Sequence, residues 1–226
     1  MKVSHRHNSL LRALPAKDIK CLLPHLKVVP LKPDEVIYDS EAVVTRIYFP
    51  VSGVISLVKA TAKGSTVEVG VVGNEGMVGT PVLLGGRKSL YQAVVQSTGE
   101  AFVIDAKRMI GEFENCGKLQ SILHRYLLGW LTQVTQSVVC NRFHTAEKRF
   151  CRWLLMIHDR VGADEFALTQ KTIARMLGIR RAGVSEISSK LMRKGLIRYS
   201  RGRMTILDRK LVEETSCECY QLFQFK

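Results

Sequence analysis

The chain lacks long apolar runs: none approaches the ~18–20 residues that a helix needs to cross a bilayer. The first twenty residues, MKVSHRHNSLLRALPAKDIK, also lack the apolar core of a signal peptide. Neither internal repeats nor low-complexity segments are found in its 226 residues. We therefore expect a cytoplasmic protein of one large or two small domains, with no membrane partner.

Cysteines are scattered, and no two of them form a CxxC pair or part of a set with zinc-finger spacing. The six are Cys21, Cys116, Cys140, Cys151, Cys217 and Cys219. We predict reduced thiols in a reducing compartment and no metal site. The closest pair, Cys217 and Cys219, leaves a redox or metal role open as the alternative.

Motifs of common enzyme classes are missing as well. We find no acidic pair with the character of a metal site, no His or Cys nucleophile arrangement and no phosphate-loop motif. A nuclease or a nucleotide hydrolase, the rival class of protein, would need one of them. We therefore do not predict an enzyme.

Acidic residues are outnumbered by basic ones: 20 Asp and Glu stand against 34 Lys and Arg, which gives a formal net charge of +14. The excess is concentrated between residues 171 and 210, where twelve basic residues face only Glu186 and Asp208 and give a net charge of +10. Such a concentration is typical of a surface that binds nucleic-acid phosphates. A basic, solvated face on a helical hairpin is the alternative.

The same stretch has the pattern of a winged helix-turn-helix. Thr169 is a good N-cap for a first helix that ends before Gly178. The apolar face of that helix is expected to contain Ile173, Met176 and Leu177. A second helix is predicted from near Arg180 to Gly195, with a buried face formed by Val184, Ile187, Leu191 and Met192. Residues 196–199 and 204–207 then predict two strands joined by a polar tip at 200–203.

Residues 169–199 resemble the DNA-binding domain of the Crp/Fnr family of bacterial transcription regulators, and the tail ILDRKLVEETSCECY at 206–220 is similar to one large subgroup of it. The resemblance implies double-stranded DNA and RNA polymerase as partners. Phosphate contacts are assigned to Thr169, Gln170, Arg201 and Arg203. The DNA-facing residues of the second helix are expected to be Arg180, Arg181, Ser185, Glu186, Ser189 and Lys190.

The base-reading positions depart from the Fnr-type pattern, in which a Glu is followed three and four residues later by Ser and Arg. Here these positions hold Ala182, Ser185 and Glu186, so we expect a different half-site. Glu186 has an alternative role as the partner of Lys190 in an intrahelical ion pair, worth ~0.3–0.5 kcal/mol.

Between residue 28 and about residue 104, short β-branched and aromatic runs alternate with turn residues. The runs lie at 36–38, 47–49, 54–58, 67–72, 91–96 and 101–104. Their spacing predicts an antiparallel β-barrel or β-roll. The order of turns and strands is similar to the cyclic-nucleotide-binding β-roll, the sensory half of Crp/Fnr proteins.

The family's cyclic-nucleotide cassette contains Gly-Glu and, several residues later, three consecutive positions: an Arg, a Ser or Thr, and an Ala. Gly79 matches it, but Thr80 replaces the Glu, Leu90 the Arg and Tyr91 the hydroxyl residue. The corresponding effector pocket comprises Val78, Gly79, Thr80, Leu90, Tyr91 and Gln92. A buried phosphate needs a cation and hydrogen-bond donors, so we expect no cyclic AMP or GMP and assign no cofactor. Another ligand, an unliganded core or retained cyclic AMP binding are the alternatives.

Residues 118–141 predict one long helix with an apolar stripe that repeats every three or four residues. The resemblance implies that this is a dimerisation helix, and we assign a homodimer interface to Leu119, Ile122, Leu123, Tyr126, Leu127, Trp130 and Val134. Leu131 and Val138 continue the same stripe. The alternative is that the helix packs only against its own β-roll.

Together these features predict an α+β fold with a sensory β-roll at 1–117, a dimerisation helix at 118–141 and a winged helix-turn-helix domain at 142–226. The predicted function is a homodimeric transcription regulator that binds a palindromic DNA site and has a degenerate cyclic-nucleotide cassette. A ligand-independent or architectural DNA-binding protein and a regulator that responds to cyclic AMP are the alternatives.

Overall fold

The computed structural model describes residues 3–115 and 117–222, so Cys116 lies outside the described residues. Within this range the chain divides into two units, residues 3–57 with 70–131 and residues 58–69 with 132–222. None of the described helices combines the length and apolarity that a bilayer crossing requires. The predicted domain boundaries after residues 117 and 141 stay a prediction.

The first unit begins with a 3-10 turn over His5–His7. Two short helices follow, α1 (Ser9–Arg12) and α2 (Ala16–Leu22), and then a second 3-10 turn over Leu23–His25 that contains Pro24. Seven strands follow in chain order, β1 (Lys27–Leu31), β2 (Val36–Tyr38), β3 (Arg46–Pro50), β4 (Val54–Ala60), β5 (Thr66–Val72), β6 (Gln92–Ser97) and β7 (Gly99–Asp105). The hairpin tip formed by residues 58–69 of β4 and β5 belongs to the second unit.

The strands form a three-stranded sheet in the order β1-β7-β3 and a four-stranded sheet in the order β2-β6-β4-β5. Inward-facing residues such as Ile47, Ile55 and Ile104 are at most 1% exposed. The six predicted runs correspond to β2–β7. Strand β1 escaped prediction because Pro30 interrupts its pattern; the structure places it at a sheet edge, where a missing N–H is tolerated.

The β-roll is followed by α3 (Ala106–Asn115) and by the long helix α4 (Gly117–Phe143), as the stripe at 118–141 predicts. The Tyr126 phenol oxygen accepts a hydrogen bond from the Met77 N–H at 3.1 Å and donates one to the Met77 carbonyl at 3.0 Å. A Cβ at Gly76 would lie 2.5 Å from the same oxygen, so the contact requires glycine at that position.

The second unit contains a three-stranded sheet in the order β8-β10-β9 and a set of helices. Its elements are α5 (Ala146–Val161), β8 (Glu165–Ala167), α6 (Gln170–Leu177), α7 (Arg181–Arg193), β9 (Ile197–Ser200), β10 (Arg203–Ile206), α8 (Arg209–Thr215) and α9 (Cys219–Leu222). Phe150 and Trp153 of α5 are at its core, and the Trp153 indole N–H donates to Glu68 at 2.8 Å. The predicted α+β fold with a C-terminal winged helix-turn-helix is confirmed.

Candidate nucleic-acid interface

Helix α6 begins at a well-formed cap. The Thr169 hydroxyl accepts a hydrogen bond from the Thr172 N–H at 3.1 Å, and the Thr169 backbone is extended, as an N-cap requires. Gln170 is the first residue of the helix. The free N–H groups of the first turn carry the positive end of the helix dipole, which suits them to a phosphate.

The turn between α6 and α7 depends on Gly178. Its φ of +64° lies in the left-handed region, and its N–H donates to the Ala174 carbonyl. The next N–H, of Ile179, also donates to the Ala174 carbonyl, at 3.1 Å. Both hydrogen bonds end α6 sharply, so that only residues 178–180 separate it from α7, whose N-cap is Arg180.

Helix α7 has one buried face and one exposed face. The residues at 1% exposure or less are Val184, Ser188 and Leu191. Residues that point to solvent include Arg181, Ala182, Ser185, Glu186 and Arg193, with Ser189 half-buried among them. Ile187, also predicted to be buried, is half-buried. The prediction that Met192 is buried is wrong: it is 37% exposed, because the buried face follows Val184, Ser188 and Leu191 and leaves Met192 at its edge.

Lys190 does not form the alternative ion pair with Glu186. Its ammonium group contacts the carboxylate of Glu147 on α5, which also lies 3.7 Å from the Lys194 ammonium. Because Glu147 holds both lysines, the exposed carboxylate of Glu186 has no ion-pair partner among the described residues. The face around Glu186 is a shallow depression bounded by Ala182, Ser185, Glu186, Ser189, Lys190 and Arg193.

The wing is the hairpin of β9 and β10, and its tip lies beside the start of α6. Arg201 and Gly202 form the tip with φ values of +49° and +76°. The Gly202 carbonyl accepts a hydrogen bond from the Leu168 N–H at 2.7 Å, which brings the tip next to Thr169. Arg203 starts β10 instead, and its guanidinium Nε donates to Glu165 of β8 at 2.7 Å. Arg201 is therefore the better placed of the two wing arginines for a phosphate.

The predicted effector residues lie in the first unit. Thr80 and Tyr91 are buried, with 3% and 2% exposure, and their hydroxyl oxygens are hydrogen-bonded at 3.0 Å. Burial raises the pKa of Tyr91 to about 12, so its hydroxyl stays neutral. The buried Ser89 hydroxyl donates to the Tyr91 carbonyl at 2.6 Å. Leu90, which the sequence predicts to replace the arginine of the cassette, is 56% exposed.

The remaining pocket residues frame this pair. Val78 is fully buried and exchanges backbone hydrogen bonds with Tyr48. Gly79 has a φ of +108°, and a Cβ there would lie 3.1 Å from the Ile47 side chain. Gln92 is half-buried and donates to the Asp39 carboxylate at 2.7 Å. That the hydroxyl pair of Thr80 and Tyr91 stands at the Glu and the Ser or Thr positions of the family's cassette stays a prediction from the sequence.

Two family models match the chain. The cyclic nucleotide-binding domain matches residues 28–116, and the Crp-like helix-turn-helix domain matches residues 148–215. Together they cover more than half of the sequence and coincide with the β-roll and the winged helix-turn-helix. The chain belongs to the Crp/Fnr family. It is a DNA-binding transcription regulator with a cyclic-nucleotide-binding-like domain.

Solved structures of similar fold agree with this assignment. A Eubacterium rectale protein assigned to the Crp/Fnr family as a transcriptional regulator has a TM-score of 0.73 and 18% identity, covering 97% of this chain and 100% of its own. FixK2 from Bradyrhizobium japonicum has a TM-score of 0.72 and 17% identity, over 85% and 98% of the two chains. The c-di-GMP-responsive regulator CLP from Xanthomonas campestris has a TM-score of 0.71 and 16% identity, over 86% and 100%. No curated protein matches the chain by sequence.

In this Crp/Fnr protein, most of the predicted dimer residues of α4 are in the interior of their own chain. Five of them are at most 8% exposed: Leu119, Ile122, Leu123, Tyr126 and Leu127. Trp130 and Val134 are half-buried, and the Trp130 ring lies 5.9 Å from that of Tyr91. Assigning the five buried residues to the interface was wrong, because α4 has an apolar face on two sides and the β-roll covers one of them.

A second stripe of α4 is exposed. The sequence pattern indicated only Leu131 and Val138 of it, as a continuation of the first stripe. Leu128, Leu131 and Val138 are 65%, 57% and 67% exposed. Thr135 and Arg142, also exposed, extend the stripe. The signal that could have separated the two faces is the strict alternation of three- and four-residue steps at positions 128, 131, 135, 138 and 142.

Proposed function

We propose that two copies of the chain associate along α4 and present their two α7 helices to one palindromic DNA site. The observation that carries this proposal is the exposed stripe of α4, defined by Leu128, Leu131, Thr135, Val138 and Arg142. Its alternating steps are the heptad spacing of helices that pack as a coiled coil. In a two-fold dimer such a stripe meets its own copy, which makes a second chain the fitting partner.

The exposed face of α7 is the proposed base-reading surface. Arg181 can bond guanine in two places, Glu186 can accept from cytosine, and Ser185 is permissive. The freedom of Glu186 from Lys190 favours this role over an intrahelical pair. Phosphate contacts are proposed for the amides at the start of α6 and for Arg201 at the wing tip. Lys190 contributes charge beside the reading face while bound to Glu147.

For the β-roll we propose that it does not bind cyclic AMP or GMP. A cyclic phosphate would have to replace the hydrogen bond between Thr80 and Tyr91 without gaining a buried cation, because the side chain at the arginine position is Leu90. The rivals are a regulator that responds to cyclic AMP, a regulator tuned to another ligand and a β-roll with no ligand. CLP responds to c-di-GMP, so that dinucleotide belongs in a test panel.

The test is selection of bound sequences from random double-stranded DNA with the purified full chain, alone and with cyclic AMP, cyclic GMP or c-di-GMP. We expect a two-fold palindrome to be enriched without any nucleotide. Enrichment that depends on cyclic AMP or GMP would contradict the proposal for the β-roll. A single, non-repeated half-site under all conditions would contradict the proposed dimer.

We further propose that the DNA-bound dimer acts through RNA polymerase and has no catalytic activity of its own. Transcription in vitro with purified polymerase, from a promoter that carries the selected palindrome, should change when the protein is added. Turnover of DNA or nucleotides in the presence of Mg²⁺ would contradict this part of the proposal.

A further inference from the structure

Four metal-binding side chains from distant parts of the sequence meet in the second unit. Cys140 lies in the last turn of α4 and His144 follows the end of that helix. Cys217 lies between α8 and α9, and Cys219 is the first residue of α9. Their three Sγ atoms and a ring nitrogen of His144 all lie within 4.8 Å of one another.

The distances fit a tetrahedral zinc site. The Sγ atoms of Cys140 and Cys217 are 3.5 Å apart, and Cys219 Sγ is 3.5 Å from His144 Nδ1. With Zn–S bonds of about 2.3 Å and a Zn–N bond of about 2.0 Å, neighbouring ligand atoms in a tetrahedron lie about 3.5–3.8 Å apart. The widest pair needs to close by only about an ångström to reach that geometry.

The surroundings are those of a metal-binding histidine and metal-binding thiolates. The other nitrogen of His144, Nε2, lies 3.0 Å from the Glu218 carboxylate, which fixes the ring with Nδ1 towards the thiols. The Gln136 amide donates to Cys219 Sγ at 3.1 Å. Arg152 is buried at 7% exposure, and its positive charge acts on both Cys140 and Cys217. That cation offsets the net −1 charge of three thiolates and one Zn²⁺.

We propose that Cys140, His144, Cys217 and Cys219 bind one Zn²⁺ ion. Three thiolates and one imidazole are ligands that prefer zinc to Mg²⁺ or Ca²⁺. The three cysteines are buried and the donor set is complete at four, so the site is structural and holds the segment after α8 against the end of α4. The sequence concealed the site because Cys140 and Cys217 are 77 positions apart.

A disulfide between Cys140 and Cys217 is the competing use of these atoms. Such a disulfide would use only two of the four side chains. It would not explain why Cys219 lies beside His144, or why the Glu218 carboxylate orients the His144 ring. The metal accounts for all four. The zinc proposal does not depend on the proposed dimer or on the proposed DNA contacts. An experiment that contradicts the zinc site would therefore leave the proposed function untouched, and the reverse also holds.

The first experiment measures zinc per chain in the full-length protein, purified with reductant and without added metal, by atomic emission. We expect one zinc per chain in the wild type and in Cys21→Ser, the matched control at an exposed cysteine. Zinc should be lost in Cys219→Ser and His144→Ala, and it should return in His144→Cys, which restores a fourth ligand. Zinc that persists in Cys219→Ser would overturn the proposal.

The second experiment keeps the native sequence, so it does not depend on whether a variant folds. Zinc is removed with a chelator under reducing conditions, and Co²⁺ is added while the absorption spectrum is recorded. Tetrahedral d–d bands with thiolate-to-cobalt charge transfer, and a melting temperature that falls on chelation and recovers with Zn²⁺, are expected. A reduced wild type that takes up neither ion, or one isolated with Cys140 and Cys217 joined as a disulfide, would overturn the proposal.

Discussion

The hydroxyl groups of Thr80 and Tyr91 are hydrogen-bonded to each other, with 3.0 Å between their oxygens, inside the β-roll. The sequence comparison with the family's cassette predicts that these two positions correspond to groups that bind the ribose and the cyclic phosphate. Here the two hydroxyls share one hydrogen bond, and the ring of Tyr91 lies 5.9 Å from the ring of Trp130 on α4. A ligand would have to break this contact and supply its own compensation.

The first prediction is that cyclic AMP and cyclic GMP do not bind. Titration of either nucleotide into the protein should give no saturable heat by isothermal calorimetry, because a buried phosphate would lack a neutralising cation. The same protein sample must bind the selected palindrome, which shows that it is folded. Saturable binding that disappears in Tyr91→Phe would show that the pocket accepts a nucleotide in a geometry different from the family's cassette.

Local chemistry made the DNA-binding half predictable. Thr169, Gly178 and the spacing of Val184 and Leu191 each act within a turn or two of helix, so the sequence alone indicates the cap, the turn and the buried face. The ion-pair partner of a long side chain cannot be predicted in this way, because it can come from a distant part of the sequence. Lys190 reaches Glu147 and Arg203 reaches Glu165, and these partners are 43 and 38 residues away in the sequence.

The long helix illustrates the same limit. Periodicity predicted α4 nearly to its ends, but a helix that is apolar on two sides does not reveal which side its own chain covers. Tyr126 was assigned to a partner chain, yet its hydroxyl is bound to the Met77 backbone. That contact depends on the turn at residues 73–76, which places Met77 after β5 and which no helical pattern contains. The thiol and imidazole cluster is equally invisible, because its members come from both ends of the second unit.

The second prediction concerns the exposed stripe of α4. Leu131→Lys should weaken homodimer formation by about 2 kcal/mol, roughly 30-fold in dissociation constant, because a charge would be buried at the centre of the interface. Sedimentation equilibrium measures the change directly. Affinity for a full palindrome should fall with it, while binding to an isolated half-site should not.

Leu84→Lys is the matched control for this change. Leu84 is 66% exposed in the 3-10 turn at Thr80–Leu84 and lies off α4, so the same substitution there should leave association unchanged. Equal effects of the two substitutions would mean that charge, rather than the helix face, governs association.

The third prediction separates base reading from phosphate binding. Arg181→Ala should cost ~1–3 kcal/mol on the selected site and relax the preference at one base pair. Arg201→Ala should weaken binding to all DNA about equally and reduce the slope of log affinity against log salt by about one. Fluorescence anisotropy with the selected site and a scrambled duplex, across a salt series, measures both effects.

Arg203→Ala is the internal comparison for the wing. Because its guanidinium is bound to Glu165, loss of Arg203 should reduce the salt slope less than loss of Arg201 does. If Arg203→Ala reduces the salt slope more than Arg201→Ala does, then Arg203 rather than Arg201 contacts the phosphate, and the ion pair between Arg203 and Glu165 opens when DNA binds. Uniform losses for Arg181→Ala across both duplexes would place Arg181 on a phosphate instead of a base.

The fourth prediction tests the assignment of Tyr126 to the interior. Tyr126→Phe leaves the N–H and carbonyl of Met77 without this partner, which should cost ~1–3 kcal/mol of unfolding free energy. Gly76→Ala should also destabilise the wild type, since the new methyl group would lie 2.5 Å from the Tyr126 oxygen. Part of that second cost should vanish in the double variant, because removing the hydroxyl relieves the clash.

Chemical denaturation of the four proteins gives the coupling free energy, and sedimentation equilibrium should show the same homodimer affinity for Tyr126→Phe as for the wild type. Additive costs together with weakened association would mean that Tyr126 faces a partner chain after all.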